Sequence, residues 1–141
     1  MRRKPRGILR QKRSMKKNKN CFLDANTILR YLLNDIPEQY EQVQEIVSSC
    51  QCITSLEVIA EVIYILTGVY SVKRKECAKA LRILSKEIMI LYSEVLEFAL
   101  NEFESGSLDF VDCLICGYHR VFGIDVVTFD KKLKRRIEGA S

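Results

Sequence analysis

Several residue types and sequence features are scarce or missing in this chain, and two of the missing features exclude a class of protein. The 141 residues include no tryptophan, one histidine and two prolines. No stretch approaches the roughly eighteen consecutive apolar residues that a membrane-spanning helix needs. The basic amino-terminus leads into no apolar segment with a small-residue cleavage site, so we expect no secretory signal and a cytoplasmic location. With 48% hydrophobic and 29% charged residues, the composition predicts one compact globular domain.

Acidic residues are absent from the first twenty positions, which hold ten lysines and arginines. Removing these from the chain's 23 basic residues leaves 13 basic and 18 acidic residues in 21–141, a net charge of −5. Residues 1–20 contain too few bulky apolar groups to bury, so they are predicted to be a disordered extension. Two interpretations stay open: the extension contacts the phosphates of a nucleic acid, or the chain properly starts at Met15.

The six cysteines do not indicate a disulfide framework or a zinc site. Without a secretory signal they are expected to be reduced thiols, buried as small apolar groups. Cys113 and Cys116 form a C-x-x-C motif, but it lies within an apolar helical pattern. Structural zinc would need a second pair at a suitable spacing, so none is predicted.

Short apolar segments alternate with amphipathic ones along residues 21–141. The predicted strands are 21–23, 51–53, 88–91 and 125–128. The predicted helices are 27–34, 37–49, 55–67, 73–86, 94–103, 110–122 and one that begins at Asp130. This alternation predicts an α/β fold of parallel strands joined by right-handed crossovers. Sites in such folds lie beyond the carboxyl ends of the strands.

Acidic residues stand at the positions where such a fold places its site. Asp24 follows the first predicted strand, Glu61 lies two turns into the helix after the second, and Asp130 follows the fourth. Asp109 and Asp112 lie one helical turn apart in the helix before that fourth strand. Carboxylates that meet at one sheet edge repel unless a cation joins them, and their oxygens suit Mg²⁺ or Mn²⁺. The sequence therefore predicts a metal site.

Each acid also has a purely structural interpretation. Asp24 and Asp130 are suited to cap the helices that follow them, and Asp109 and Asp112 suit the positive end of a helix dipole. Thr54 and Glu57 have the spacing of a capping box, which leaves Glu57 out of the predicted site.

The structural interpretation is weakest for Glu61. This residue lies beyond the first turn of its helix, between apolar neighbours, and residue 65 at i+4 is not a base. We expect Glu61 to be buried, where an unpaired charge would cost several kcal/mol, about 2–7 for a polar group alone. A cation would remove that cost.

Four segments of the chain resemble, in order, the motifs of the PIN-domain ribonucleases, and within that family most resemble the toxins of the VapC type. They are F-L-D-A-N-T-I-L-R-Y-L-L, I-T-S-L-E-V-I-A-E-V-I-Y-I-L, L-D-F-V-D-C-L-I and V-V-T-F-D. The resemblance covers about residues 21–137. It implies a PIN-like three-layer α/β/α fold with a small central parallel sheet of four strands, or five where relatives continue beyond the end of this chain.

The resemblance also implies a Mg²⁺- or Mn²⁺-dependent endoribonuclease that hydrolyses RNA with metal-activated water. It assigns the catalytic and metal-binding roles to Asp24, Glu61, Asp112 and Asp130, with Asp109 as an additional ligand. Asn26 and Thr128 match polar positions that hold the carboxylates in place. Expected partners are the RNA substrate, a second copy of the chain in a homodimer and a small antitoxin protein, with no membrane. Arg30, Lys131 and Lys132 are candidates to hold neighbouring phosphates.

Two other functions compete with this prediction. The first is a catalytically weak PIN-fold module that binds RNA or acts as a scaffold, although the presence of all four acids argues against it. The second follows from D-A-N-T, which is faintly similar to the aspartyl-phosphate phosphatases. Their second acid would stand at position 26, where this chain has asparagine.

Overall fold

The structure is a computed structural model that describes residues 19–140, and three strands and seven helices are found in that range. The strands are β1 (Asn20–Phe22), β2 (Gln51–Thr54) and β3 (Met89–Ile90). The helices are α1 (Ala25–Leu33), α2 (Pro37–Ser49), α3 (Leu56–Gly68), α4 (Arg74–Leu84), α5 (Ser93–Ser105), α6 (Phe110–Phe122) and α7 (Lys131–Ala140). Residues 1–18 of the predicted basic extension, which include the alternative start at Met15, lie outside the described residues. Of the other two, Lys19 accepts a hydrogen bond from the Gln51 N–H at 2.9 Å and Asn20 belongs to β1. None of the described helices is long and apolar enough to cross a membrane.

The described residues form two compact units. The first unit comprises residues 19–62 together with Ile83–Leu91, and the second comprises Ile63–Arg82 together with residues 92–140. Helices α3 and α4 each contribute residues to both units. The mixture of parallel strands and helices confirms the predicted α/β class.

The first unit contains a three-stranded parallel sheet with the order β1-β2-β3. Cys21 of β1 lies opposite Cys52 of β2, and Thr54 of β2 lies opposite Ile90 of β3. The backbone bonding continues past β1, because the Leu23 N–H donates to the Ile53 carbonyl at 3.0 Å. This last bond holds the chain against β2 directly before Asp24.

The predicted fourth strand, residues 125–128, is not a strand in the structure. Residues 123–130 form an irregular connection between α6 and α7. The side chains of Val127 and Phe129 are 93% and 99% exposed, whereas a strand inside a parallel sheet is buried on both faces. The sheet found among residues 19–140 therefore has three strands, and the prediction of four or five is not confirmed.

The second unit is built around the packing of α5 against α6. Gly117 of α6 allows the close approach, because a Cβ atom there would lie 2.9 Å from the Val95 carbonyl oxygen. Helix α6 ends at Gly123, whose φ of 68° lies in the left-handed region that favours glycine. Arg136 of α7 donates from Nε and Nη2 to the two carboxylate oxygens of Glu102 in α5, at 2.6 and 2.8 Å. This ion pair joins the last helix to the α5–α6 pair.

The cysteines have the environment expected from the sequence only in part, because Cys21 and Cys50 are not fully buried. All six are reduced thiols, and four of them are buried: Cys52, Cys77, Cys113 and Cys116. Burial raises the pKa of Cys113 to about 12 and that of Cys77 to about 11. These thiols therefore stay protonated at neutral pH and contribute as packing groups.

Candidate functional site

The five predicted acids are divided between the two units. Asp24 and Glu61 belong to the first unit, and Asp109, Asp112 and Asp130 belong to the second. Each unit is considered by itself.

Asp24 follows β1 and is the N-cap residue of α1. Its side chain is exposed, and Oδ1 accepts a hydrogen bond from the Thr27 N–H at 2.9 Å. The bonds from Thr27 lower the pKa of the Asp24 carboxyl below its ordinary value. Asp24 is therefore ionised at neutral pH, and capping engages one of its two carboxylate oxygens. Asn26, the predicted supporting residue, lies exposed in the first turn of the same helix.

Thr54 supports Asp24 in a way that the sequence did not reveal. The predicted capping box with Glu57 is wrong, because α3 begins at Leu56 and the residue directly before it is Ser55, not Thr54. The Thr54 side chain is instead fully buried, and its hydroxyl donates to the Leu23 carbonyl at 2.8 Å. That bond and the β1–β2 ladder fix the backbone immediately before Asp24. The only sequence signal for this role is a threonine at the carboxyl end of an otherwise apolar strand.

Glu61 is exposed, so the expectation that it would be buried is wrong. Helix α3 is buried along one side only, which carries Leu56, Ile59, Val62, Ile63 and Leu66, none of them more than 4% exposed. Glu57, Glu61 and Tyr64 follow one another at intervals of four and three residues on another side, and all three are exposed. Because most residues between them are apolar, the sequence suggested that the whole helix is buried. Burial consequently gives no argument for a metal at Glu61, and its role as a ligand stays a prediction.

Asp109 and Asp112 lie at the start of α6, where the sequence predicted the helix to begin. Asp109 is the N-cap residue and is exposed, and its side chain makes no capping hydrogen bond to α6. Asp112 lies one turn further into the helix and is half-buried. The pKa of Asp112 is raised by burial first and then by the negative charges of Asp130 and Asp109, while Lys132 opposes the shift. The three acids of the second unit therefore share one electrostatic environment.

Asp130 precedes α7 and caps it, in agreement with the structural interpretation of this residue. Its Oδ1 accepts from the Leu133 N–H at 2.8 Å, and its own N–H donates to Oγ1 of Thr128 at 3.0 Å. Thr128 thus holds the backbone of Asp130 rather than its carboxylate. Leu133 is 3% exposed and anchors the first turn of α7 in the second unit.

The candidate phosphate-binding residues have different surroundings. Arg30 forms an ion pair with Asp35 at 3.0 Å, which engages its guanidinium within the first unit. Lys132 donates from Nζ to the Ser107 carbonyl at 3.0 Å, in the loop that leads to Asp109. Lys131 is exposed. Lys132 therefore joins the start of α7 to the start of α6, and its charge lies near the acids.

His119 is a further residue whose role the sequence did not show. Its Nδ1 lies 2.8 Å from the Ile124 carbonyl oxygen, just past the turn at Gly123. The contact fixes the first residues of the connection that leads to Asp130. A histidine four residues before a glycine that ends a helix is the only signal in the sequence, and it is not specific.

The donor set suits a hard divalent cation in its chemistry. Within residues 19–140, no group of three or more acidic, histidine or cysteine side chains stands close enough together to hold a metal ion. The acids around Asp112 nevertheless offer only oxygen ligands, which Mg²⁺ and Mn²⁺ prefer. The repulsion that raises the pKa of Asp112 is also the kind that a bound cation relieves. The donor atoms therefore fit the predicted metal in type, although the described side chains do not stand close enough together to enclose it.

Comparison with known proteins gives one finding. The model of the PIN domain family matches residues 21–138 of this chain, which include all five acids. Comparison with curated proteins gives no match. PIN domains are generally nucleases that act on RNA and use divalent metal ions. Because the match spans most of the chain, this protein belongs to the PIN domain family.

Proposed function

We propose that this protein is a Mg²⁺- or Mn²⁺-dependent endoribonuclease, and that it is the VapC-like toxin of a toxin–antitoxin pair. The observation that carries the proposal is the environment of Asp112. This half-buried carboxyl stands among Asp109, Asp130 and Lys132, and its pKa is raised by burial and by the two neighbouring acids. Perturbed carboxyls of this kind concentrate at functional sites.

In the second unit, the residues that would hold the cation are Asp112 and Asp130, with Asp109 as an additional ligand. The family resemblance implies Asp24 and Glu61 of the first unit as further ligands. The chemistry that such a cation supplies is a water of lowered pKa and stabilisation of the charge that develops on the phosphate. Asp24 and Asp130 each use Oδ1 to cap a helix, which fixes the orientation of the carboxylate. Thr54 and Thr128 hold the backbone beside these two acids.

The proposed reaction needs no covalent nucleophile from the protein. The Nδ1 of His119 faces the Ile124 carbonyl, not the carboxylate that orients the histidine of a catalytic triad. The buried cysteines have raised pKa values and are poor nucleophiles at neutral pH. Metal-assisted hydrolysis is the reaction that these side chains support.

The catalytic part of the proposal is tested by cleavage of single-stranded and looped RNA. We expect the purified protein to cut RNA with Mg²⁺ or Mn²⁺, to leave 5′-phosphate ends and to stop when EDTA is added. Cleavage that continues in EDTA would contradict the metal mechanism. RNA binding without cleavage at any metal concentration would instead favour the RNA-binding module.

The toxin part is tested in cells. Expression of the wild-type chain should arrest growth, and expression of Asp112→Asn at the same level should not. Co-expression of a small protein encoded beside the gene should relieve the arrest and form a complex with the chain, and the chain alone should elute as a dimer. If cells grow normally although the expressed protein cleaves RNA measurably, the nuclease function is supported and the toxin role is contradicted.

A further inference from the structure

We infer that a cavity between α5, α6 and α7 in the second unit binds one nucleobase of the RNA substrate, next to the position of cleavage. This inference rests on the proposed function and adds a specificity site to it. The cavity has a volume of about 500 Å³, and its lining includes Phe98, Glu102, His119, Arg120 and Arg136. Sites for small ligands and cofactors have volumes of roughly 300–1,000 Å³.

The first feature that fits a base is a stacking surface. The guanidinium of Arg120 lies 5.9 Å from the centroid of the Phe98 ring. Phe98 is half-buried and Arg120 is exposed, so the ring is held by the fold while the guanidinium is free to adjust. Aromatic rings and arginine guanidinium planes are the groups on which proteins stack unpaired RNA bases.

The second feature is a pair of hydrogen-bond acceptors at the cavity wall. Glu102 is held in place by the two bonds from Arg136, at 2.6 and 2.8 Å. His119 directs Nδ1 at the Ile124 carbonyl, which can only accept, so Nδ1 carries the proton in the neutral ring. Nε2 is then an acceptor. Acceptors of this kind suit the amino and ring N–H groups along the edge of a base.

The third feature is the position of the cavity relative to the acids and to positive charge. His119 lies seven residues after Asp112 on α6, about 10 Å along the helix axis. Helix α7 contributes Arg136 to the cavity and also exposes Lys131, Lys132, Lys134 and Arg135. A basic helix beside the cavity favours a polyanionic strand over an isolated metabolite, because each phosphate gains a cationic neighbour.

The test measures RNA binding in EDTA, where metal-dependent cleavage does not occur. A short fluorescent single-stranded RNA is prepared as a series in which one nucleotide at a time carries an abasic ribose. We expect wild-type protein to bind one member of the series at least about fivefold more weakly than the parent RNA, the lower end of measured stacking effects. The remaining members should bind like the parent.

Two variants and one matched control assign this discrimination to the cavity. Arg120→Gln and Phe98→Leu should bind the parent RNA and the discriminated abasic RNA equally. Arg135→Gln removes the same charge from an exposed position of α7 outside the cavity lining. It should weaken binding of every RNA in the series alike and keep the discrimination. Thermal melts of each variant show whether the fold is retained, and the Arg120 variant alters an exposed side chain only.

The outcomes separate this inference from the proposed nuclease function. Wild-type protein that binds every abasic RNA like the parent, or that does not bind RNA, would overturn the cavity assignment whether or not RNA is cleaved. Discrimination that persists in both cavity variants would overturn it as well. The two proposals can also have opposite outcomes. If the discrimination disappears in both variants but the wild-type protein does not cleave RNA with any metal, the cavity assignment is supported and the nuclease function is contradicted.

Discussion

At Asp112 the ionised side chain is penalised by its surroundings. The pKa is raised from an ordinary value of 3.8, mainly by burial and then by Asp130 and Asp109. Above the raised pKa the folded protein carries a charge that it disfavours, whereas the unfolded chain carries the same charge without penalty. The contribution of Asp112 to the free energy of unfolding therefore falls as pH rises from about 3.8 through the pKa that Asp112 has in the folded protein.

Asp112→Asn is expected to abolish cleavage without loss of stability. Cleavage should fall by about 100-fold or more, the scale of losing one group that stabilises transition-state charge. The melting temperature in EDTA at pH 7 should equal or exceed that of the wild type, because the variant lacks the disfavoured charge. Rate measurements and melts from pH 4 to 8 check both effects.

Asp109→Asn is the matched control. Asp109 is exposed at the N-cap, so the change should weaken cleavage less and leave the pH dependence of melting almost unchanged. If the Asp109 variant loses more activity than the Asp112 variant, the assignment of the inner acid as the ligand is wrong.

Glu61→Gln is expected to leave the metal-free protein within about 0.5 kcal/mol of the wild-type stability, as exposed substitutions do. Added Mn²⁺ should raise the melting temperature of the wild type by mass action, and by less in the variant if Glu61 is a ligand. Glu57→Gln, one turn earlier on the same exposed side, should respond to Mn²⁺ like the wild type. Equal Mn²⁺ stabilisation of all three proteins would remove Glu61 from the predicted site.

Among the elements, α7 is held to α5 by the paired hydrogen bonds between Arg136 and Glu102. The bonds and charge of Arg136 lower the pKa of Glu102 below its ordinary value of 4.5. A carboxyl with a lowered folded-state pKa contributes stability above its unfolded value, and that contribution is lost as pH falls through the folded value. The docking of α7 should therefore weaken in acid.

Glu102→Gln should lower the free energy of unfolding at pH 7 by up to about 1 kcal/mol, the scale of a partly exposed ion pair. The difference from the wild type should shrink below pH 4.5 and vanish once Glu102 is protonated. Denaturant titrations at several pH values measure it. A difference that stays constant down to low pH would show that packing, and not charge, connects these helices.

Helix boundaries were predictable where local signals set them. Helices 37–49 and 110–122 were predicted to the residue, because Pro37 suits a helix start and Gly123 adopts the left-handed conformation that ends one. The N-cap roles of Asp24 and Asp130 were predictable for the same reason.

Features that depend on distant partners were not predictable. The run Asp125–Thr128 has the composition of a strand, but composition does not say whether the sheet has a place for it. Thr54 bonds to a carbonyl 31 residues away in the sequence, so local spacing suggested a cap instead. The exposure of Glu61 depends on which side of α3 is covered, and its many apolar neighbours concealed that.

For the molecule as a whole, charge is distributed unevenly along the chain. Residues 1–14 hold seven lysines and arginines and lie outside the described range, whereas residues 21–141 carry a net charge of −5. Deleting residues 1–14 should lower RNA affinity and flatten its dependence on salt, by about 0.7 in the logarithmic slope for each phosphate that the shortened chain no longer neutralises. Affinities measured across a salt series check this, and an unchanged slope would favour Met15 as the functional start.

The two helix caps at Asp24 and Asp130 bear on how this protein can change during evolution. Asparagine, serine and threonine cap helices about as well as aspartate, or only slightly less well. A single substitution to one of them would therefore remove a charge while the helix that follows stays capped. Selection for folding alone would let either position drift away from aspartate. Such drift would yield a descendant that still folds but has lost a carboxylate of the predicted site, and only selection on the charge itself opposes it.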